Sequence, residues 1–172
     1  MSRCEECGFD FDAVVAESAP AAIRDFGRRY RAPFTRLLKG EDESVLRARP
    51  APDVWSAVEY GAHVRDVFAL FDRRVAQIVA EDDPVLEVID HDALVNDSDY
   101  RSLDPVAVVD ELSAAAEALA ARLEALTPEQ WERAGTRKGE RRTVLEVARR
   151  AAHEGSHHLL DIGRGLRTVR QS

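Results

Sequence analysis

Residues Thr143–Gly163, TVLEVARRAAHEGSHHLLDIG, read as one long amphipathic helix. It opens with a capping box, Thr143-x-x-Glu146, in which hydroxyl and carboxylate each satisfy a backbone N–H group that the first helical turn leaves open. At about 100° per residue, Val144, Val147, Ala148, Ala151, Gly155, Leu159 and Ile162 fall on one arc, and Gly163 or Gly165 supplies the stop. One helix with one apolar face needs partners, and the chain offers three more. Ile23, Phe26, Tyr30, Phe34, Leu37 and Leu38 recur at helical spacing up to Gly40, with a bend expected at Pro33. A second capping box, Ser56-x-x-Glu59, opens a helix whose face is Tyr60, Val64, Val67, Phe68, Phe71, Val75 and Ile78, ending at Glu81-Asp82-Asp83-Pro84. Asp104 followed by Pro105 starts an Ala- and Leu-rich helix running to about Leu126.

The pattern therefore predicts an all-α four-helix bundle over residues 18–172, preceded by an arm, residues 1–17, that carries Cys4-x-x-Cys7-Gly8. Residues 41–53 read as a connector, Thr127-Pro128 as the start of a short turn, and residues 84–104 as a longer connector able to cover one end of the bundle. A 172-residue chain is long enough to bury a core without disulfide staples, and two cysteines spaced this closely exclude a disulfide framework. No apolar run is long enough for a bilayer and the N-terminus lacks a signal-peptide layout, so a cytoplasmic protein without membrane contact is expected. The formal charge of −8 argues against nucleic acid, whose phosphates are bound by Lys and Arg. Arg149, Arg150, Arg164, Arg167 and Arg170 are a local exception, either solvated surface or a patch for a small anion.

Three of the five histidines lie in His153-Glu154-Gly155-Ser156-His157-His158. Two pairs there, His153/His157 and Glu154/His158, have the i, i+4 spacing that lets two side chains reach one ion. Only Glu154 and His158 border the apolar arc; His153 and His157 share a face with Glu146, Arg149, Arg150 and Arg164. His63 borders the arc of Tyr60, Val67, Leu70 and Phe71 on the second long helix, so it is expected as the third ligand. Two imidazoles and a carboxylate suit Zn²⁺, Ni²⁺, Fe²⁺ or Mn²⁺ and leave coordination positions open. The competing reading makes His63 an ordinary half-buried histidine and the other three surface residues. Cys4 and Cys7 form half of a zinc-knuckle-like site or a reduced dithiol. Their further ligands would come from a partner subunit, from His91 or from the main cluster.

Trp55, His63-x-x-Asp66, Leu126-Thr127-Pro128-Glu129-Gln130-Trp131 and His157-His158-x-x-Asp161-Ile162 together resemble the DinB-like metal-binding four-helix bundles, which include thiol S-transferases and mycothiol-dependent maleylpyruvate isomerases. The resemblance implies metal ligation by His63 and His158, and the glutamate at Glu154 is similar to the isomerase branch. It further implies one divalent ion, zinc foremost, a low-molecular-weight thiol such as mycothiol, a small electrophilic substrate and a homodimer. Asp161 or Asp66 would orient a ligand imidazole. Two functions follow as expectations. One is a metal-dependent thiol transferase or isomerase. The other is a non-catalytic zinc-binding bundle in which Cys4 and Cys7 close the shell of His63, Glu154 and His158.

Overall fold

The computed structural model describes residues 3–172. Its long helices are α1 (Ala19–Thr35), α3 (Ala57–Ala80), α5 (Pro105–Glu124) and α7 (Val144–Gln171); α2 (Ser44–Arg47), α4 (His91–Asp97) and α6 (Pro128–Trp131) are short. The expected bundle is present. The closest pairs are α1/α5, α3/α5, α3/α7 and α1/α7, so α1 and α3, consecutive among the long helices, lie diagonally across the core, as do α5 and α7. Phe26, Tyr30, Phe68, Leu70, Leu112 and Ile162 fill the centre. No helix of the described residues is long and apolar enough to cross a membrane.

Local chemistry sets the helix starts. All three expected caps form: Ser56/Glu59 on α3, Thr143/Glu146 on α7, and Asp104 accepting from the Ala107 N–H on α5. Thr127 and Gln130 add a further capping box on α6. Glu59 has a second role, because its buried carboxylate takes the Arg49 guanidinium in a bidentate pair, Nε to Oε2 at 3.0 Å, and ties the first connector to the start of α3.

Three segments differ from the sequence expectation, the first being α7, which runs through Gly163 and Gly165 to Gln171 rather than stopping there. Helix α1 ends at Thr35 rather than continuing to Gly40, leaving Leu38 56% exposed. Pro33 has no N–H for the carbonyl four residues back, and its ring crowds that carbonyl, so the helix closes within a turn. An antiparallel hairpin, β1 (Ala134–Arg137) with β2 (Glu140–Thr143), fills the approach to α7. Its two-residue loop places Lys138 and Gly139 at φ +49° and +78°, the left-handed pair that matches strand twist. The long connector pairs with this hairpin through Leu86 N–H to Thr136 C=O and Thr136 N–H to Pro84 C=O, both 2.8 Å.

One contact fixes α7 against α1. A Cβ on Gly155 would stand 2.6 Å from the Phe26 ring, and the buried Tyr30 hydroxyl donates to the Gly155 carbonyl at 2.7 Å. The absent side chain lets α1 approach the turn that bears Glu154. Gly155→Ala should therefore destabilise the fold by about 1–3 kcal/mol through overpacking, despite the better helix propensity of alanine. Denaturant unfolding with an unchanged m-value is the check.

Candidate metal centre

Helix α3 delivers His63 and α7 delivers Glu154 and His158 to one point inside the bundle. Glu154 Oε2 lies 3.2 Å from His158 Nε2 and 3.6 Å from His63 Nε2, and one donor atom from each residue lies within 4.8 Å of the other two. Bonds of about 2.1 Å arranged tetrahedrally place neighbouring donors roughly 3.4 Å apart, so these separations fit one shared ion. His63 supplies the sharper test. It is 5% exposed, its Nδ1 is buried without a hydrogen-bond partner, and its Nε2 stands too far from Glu154 for a good hydrogen bond. The Nε2 lone pair faces Glu154 and His158 and is the one that a shared ion would take, while Nδ1, on the other side of the ring, would stay unpartnered. The donor set therefore fits a divalent cation.

Surrounding groups hold the ligands. Asp161 Oδ2 lies 3.0 Å from His158 Nδ1, the carboxylate–histidine arrangement that fixes which nitrogen faces inward. Asp66 does not share that role: Arg65 and the Tyr100 hydroxyl engage it instead. Tyr60 stacks on His158 and Trp55 packs on His63, each at 5.3 Å between centroids. Burial would raise the Glu154 carboxyl, but His153, His158 and His63 outweigh it and hold the acid far below the usual carboxylate range. Burial would lower His158, but Asp161 and then Glu154 hold a proton on the ring and push it up to about 9.

That proton competes with a metal. Each ion bound below about pH 9 must release it, so affinity should climb by about tenfold per pH unit and level off near 9. Titration calorimetry in buffers of different ionisation enthalpy measures the released proton directly. In the metal-free protein the sign is opposite: a raised imidazole stabilises the fold fully below its ordinary value of 6.5 and loses that contribution as pH passes about 9.

The cysteines are elsewhere. Cys4 and Cys7 group with His153 and His157, not with the triad of His63, Glu154 and His158, so they do not close that shell. His153 and His157, expected on a solvated face, are half-buried beneath the N-terminal arm. The Cys4 thiol is pulled down to about 6, first by the Cys7 backbone N–H and then by His153, whereas burial pushes Cys7 up. His91, expected at most beside the cysteines, instead packs edge-on against His63 at 5.0 Å, with its Nδ1 buried and unpartnered. Burial first and then His63 lower its pKa.

A cavity of about 120 Å³ adjoins the triad, lined by Glu154, His91, Arg74, Arg137, Arg142 and Arg150 among others. The Nε atoms of Arg74 and Arg137 are buried without partners. Burial and then Arg137 lower Arg74 to about 10; burial, then Arg142 and Arg137, lower Arg150. Of the two readings of Arg149, Arg150, Arg164, Arg167 and Arg170, the single patch does not form, and the side chains are dispersed. Arg149 binds the Val14 carbonyl, Arg164 reaches the Glu6 carbonyl and Arg170 pairs with Glu41, so of the five only Arg150 lines the cavity. Arg74, Arg137 and Arg142 had no sequence signal, since α3 and the hairpin bring them to Arg150 of α7 only in three dimensions.

A diagonal four-helix bundle with an inward His–Glu–His cluster defines the class: a helical bundle built around a candidate metal centre. The DinB superfamily model matches residues 28–162, and the chain belongs to that superfamily. Among solved structures it is similar to YfiT from Bacillus subtilis, described as a probable metal-dependent hydrolase with an unusual four-helix bundle topology. That likeness has a TM-score of 0.79 at 17% identity over 88% of this chain and 86% of the other, and shows the fold. No curated protein sequence matches.

Proposed function

We propose that this chain is a divalent-metal-dependent enzyme that activates a small nucleophile, a low-molecular-weight thiol such as mycothiol, against a small anionic electrophile. The observation that carries the reading is the continuity of the His63–Glu154–His158 triad with a cavity lined by four arginines, Glu154 belonging to both. Three protein donors leave room for an exogenous ligand. When bound, a zinc-like ion supplies Lewis acidity, lowering the pKa of a coordinating thiol or water.

The chain's own residues do the rest. His63, Glu154 and His158 hold the ion, while Asp161, Tyr60 and Trp55 fix the imidazole planes. His91 lines the cavity beside His63 and is placed to accept the proton that the nucleophile gives up. Arg74, Arg137, Arg142 and Arg150 crowd positive charge around a space well below that of a drug-sized pocket, so a small carboxylate or dicarboxylate suits it. Glu154 is the acid that lines the cavity with them, its charge shared with the metal site, and Glu140, outside the lining, pairs with Arg142. Sulfur as the nucleophile rests on the resemblance of Glu154 and the helix motifs to the isomerase branch. A homodimer is proposed on the same ground.

Water in place of thiol is the second reading, favoured by the description of YfiT as a probable hydrolase. Turnover of a panel of small unsaturated dicarboxylates and esters by the zinc-loaded protein, with and without added thiol, separates the two. Strict thiol dependence supports the transferase or isomerase, and thiol-independent hydrolysis replaces it. For the arginine pocket, Arg150→Met should weaken dicarboxylate binding, read by titration calorimetry, by about tenfold or more while leaving zinc content unchanged.

A further inference from the structure

The N-terminal arm brings a second set of metal-ligating groups onto α7, one that the proposed reaction does not use. Cys4 N–H donates to the Phe9 carbonyl at 2.8 Å and Gly8 N–H to the Cys4 carbonyl at 2.9 Å, closing a tight turn that needs Gly8 at φ +72°. This turn presents both thiols, unoxidised, to His153 and His157, one helical turn apart. Cys4 Sγ stands 3.8 Å from His157 Nδ1, and one donor atom from each of the four residues lies within 4.8 Å of the others. Zinc–sulfur and zinc–nitrogen bonds of about 2.3 and 2.0 Å place tetrahedral neighbours roughly 3.3–3.8 Å apart.

We propose that Cys4, Cys7, His153 and His157 form a second, closed metal site, a tetrahedral zinc centre that fastens the arm to α7 and braces the open site from behind. Each histidine is arranged for one bond to an ion. His157 turns Nδ1 to Cys4 and Nε2 toward Glu6 (3.3 Å) and Asp161 (3.6 Å). His153 turns Nδ1 toward Glu154 Oε1 at 3.7 Å, while its Nε2 is buried with no hydrogen-bond partner. Outer carboxylates of this kind orient ligand imidazoles. Two thiolates neutralise a zinc ion, and their softness selects zinc over magnesium or manganese, so the two sites differ in metal preference.

The sites are also joined. Glu154 points Oε2 into the open triad and Oε1 toward His153, while Asp161 Oδ2 is shared between His158 and His157. Filling the closed site therefore fixes, from the far side of α7, the two carboxylates on which the open site depends.

Cobalt(II) loading of the full chain tests this with a readout independent of activity. The wild type should take up two cobalt ions and show intense sulfur-to-cobalt charge-transfer bands. His158→Ala should keep those bands and bind one ion. Cys4→Ser/Cys7→Ser should lose the bands, keep one ion, and bind it about 10-fold or more weakly as the brace is lost. Far-ultraviolet circular dichroism confirms that each variant folds. A wild-type spectrum without sulfur bands overturns the proposal whatever the variants do, and so does loss of the bands in folded His158→Ala, which would mean a single shared site. Failure of the open triad alone would leave the bands intact in the wild type and an unchanged ion count in His158→Ala.

Discussion

Glu154→Gln is expected to reduce metal affinity at the triad by about 100-fold or more, with activity lost in parallel. Outer-sphere partners of a metal ligand are worth about 10- to 100-fold, and a directly ligating carboxylate should exceed them. Glu154 is also the only acid among the three donors. Glutamine keeps the volume but supplies a neutral oxygen, and it removes the charge toward which His63, His153 and His158 all turn. The proton held on His158 would leave more easily, because Glu154 is one of the two acids that retain it. That relief favours metal binding slightly and cannot offset loss of a ligand. Competition against a chelator of known affinity measures the change, and a loss under threefold would remove Glu154 from the ligand set.

The second large effect is on stability. Glu59→Gln should destabilise the protein by about 3 kcal/mol, because it removes the charge paired with Arg49 at a residue that is itself 2% exposed, while Arg49 keeps its bond to the Pro52 carbonyl. For a chain of this size that corresponds to a fall in Tm of about 10 °C. The same carboxylate closes the capping box of α3 one turn before His63, so the variant should also loosen the helix that carries a ligand. Burial alone would raise the Glu59 carboxyl, but Arg49 and then Ser56 hold it below its usual value. A depressed folded pKa stabilises above the unfolded value of about 4.3 and loses that contribution as pH falls through the folded one. The gap between wild type and variant should therefore narrow in acid, which denaturant melts across that range will show.

The parts of this molecule written in local chemistry were legible before the structure. Ser56/Glu59, Asp104/Pro105 and Thr143/Glu146 mark helix starts because caps act within one turn, and the apolar periods of α3 and α7 show which faces are buried. The placement of Glu154, His158 and His63 on inward margins came from the same arithmetic. Chain reversals hid the rest. Lys138-Gly139 is a hairpin signal only if the short polar strands beside it are recognised, and Arg133, Arg137, Arg141 and Arg142 carry no alternating apolar pattern. His153 and His157 fall on the polar face of α7 by helical angle. They become half-buried because a separate segment, the Cys4–Cys7 arm, lies over them, and periodicity within one helix cannot register that. His91 reaches His63 for a similar reason, since α4 folds back from a connector without a long period.

In the proposed enzyme, His63, Glu154 and His158 hold one ion with a position left for an exogenous ligand. Anomalous diffraction at the zinc edge from crystals of the zinc-loaded full chain tests it most directly. A peak is expected within bonding distance of His63 Nε2, Glu154 and His158 Nε2, completed by solvent or a small molecule, and separate from any peak at Cys4 and Cys7. No peak at the triad under zinc saturation, or one whose fourth ligand is a protein side chain, would contradict it.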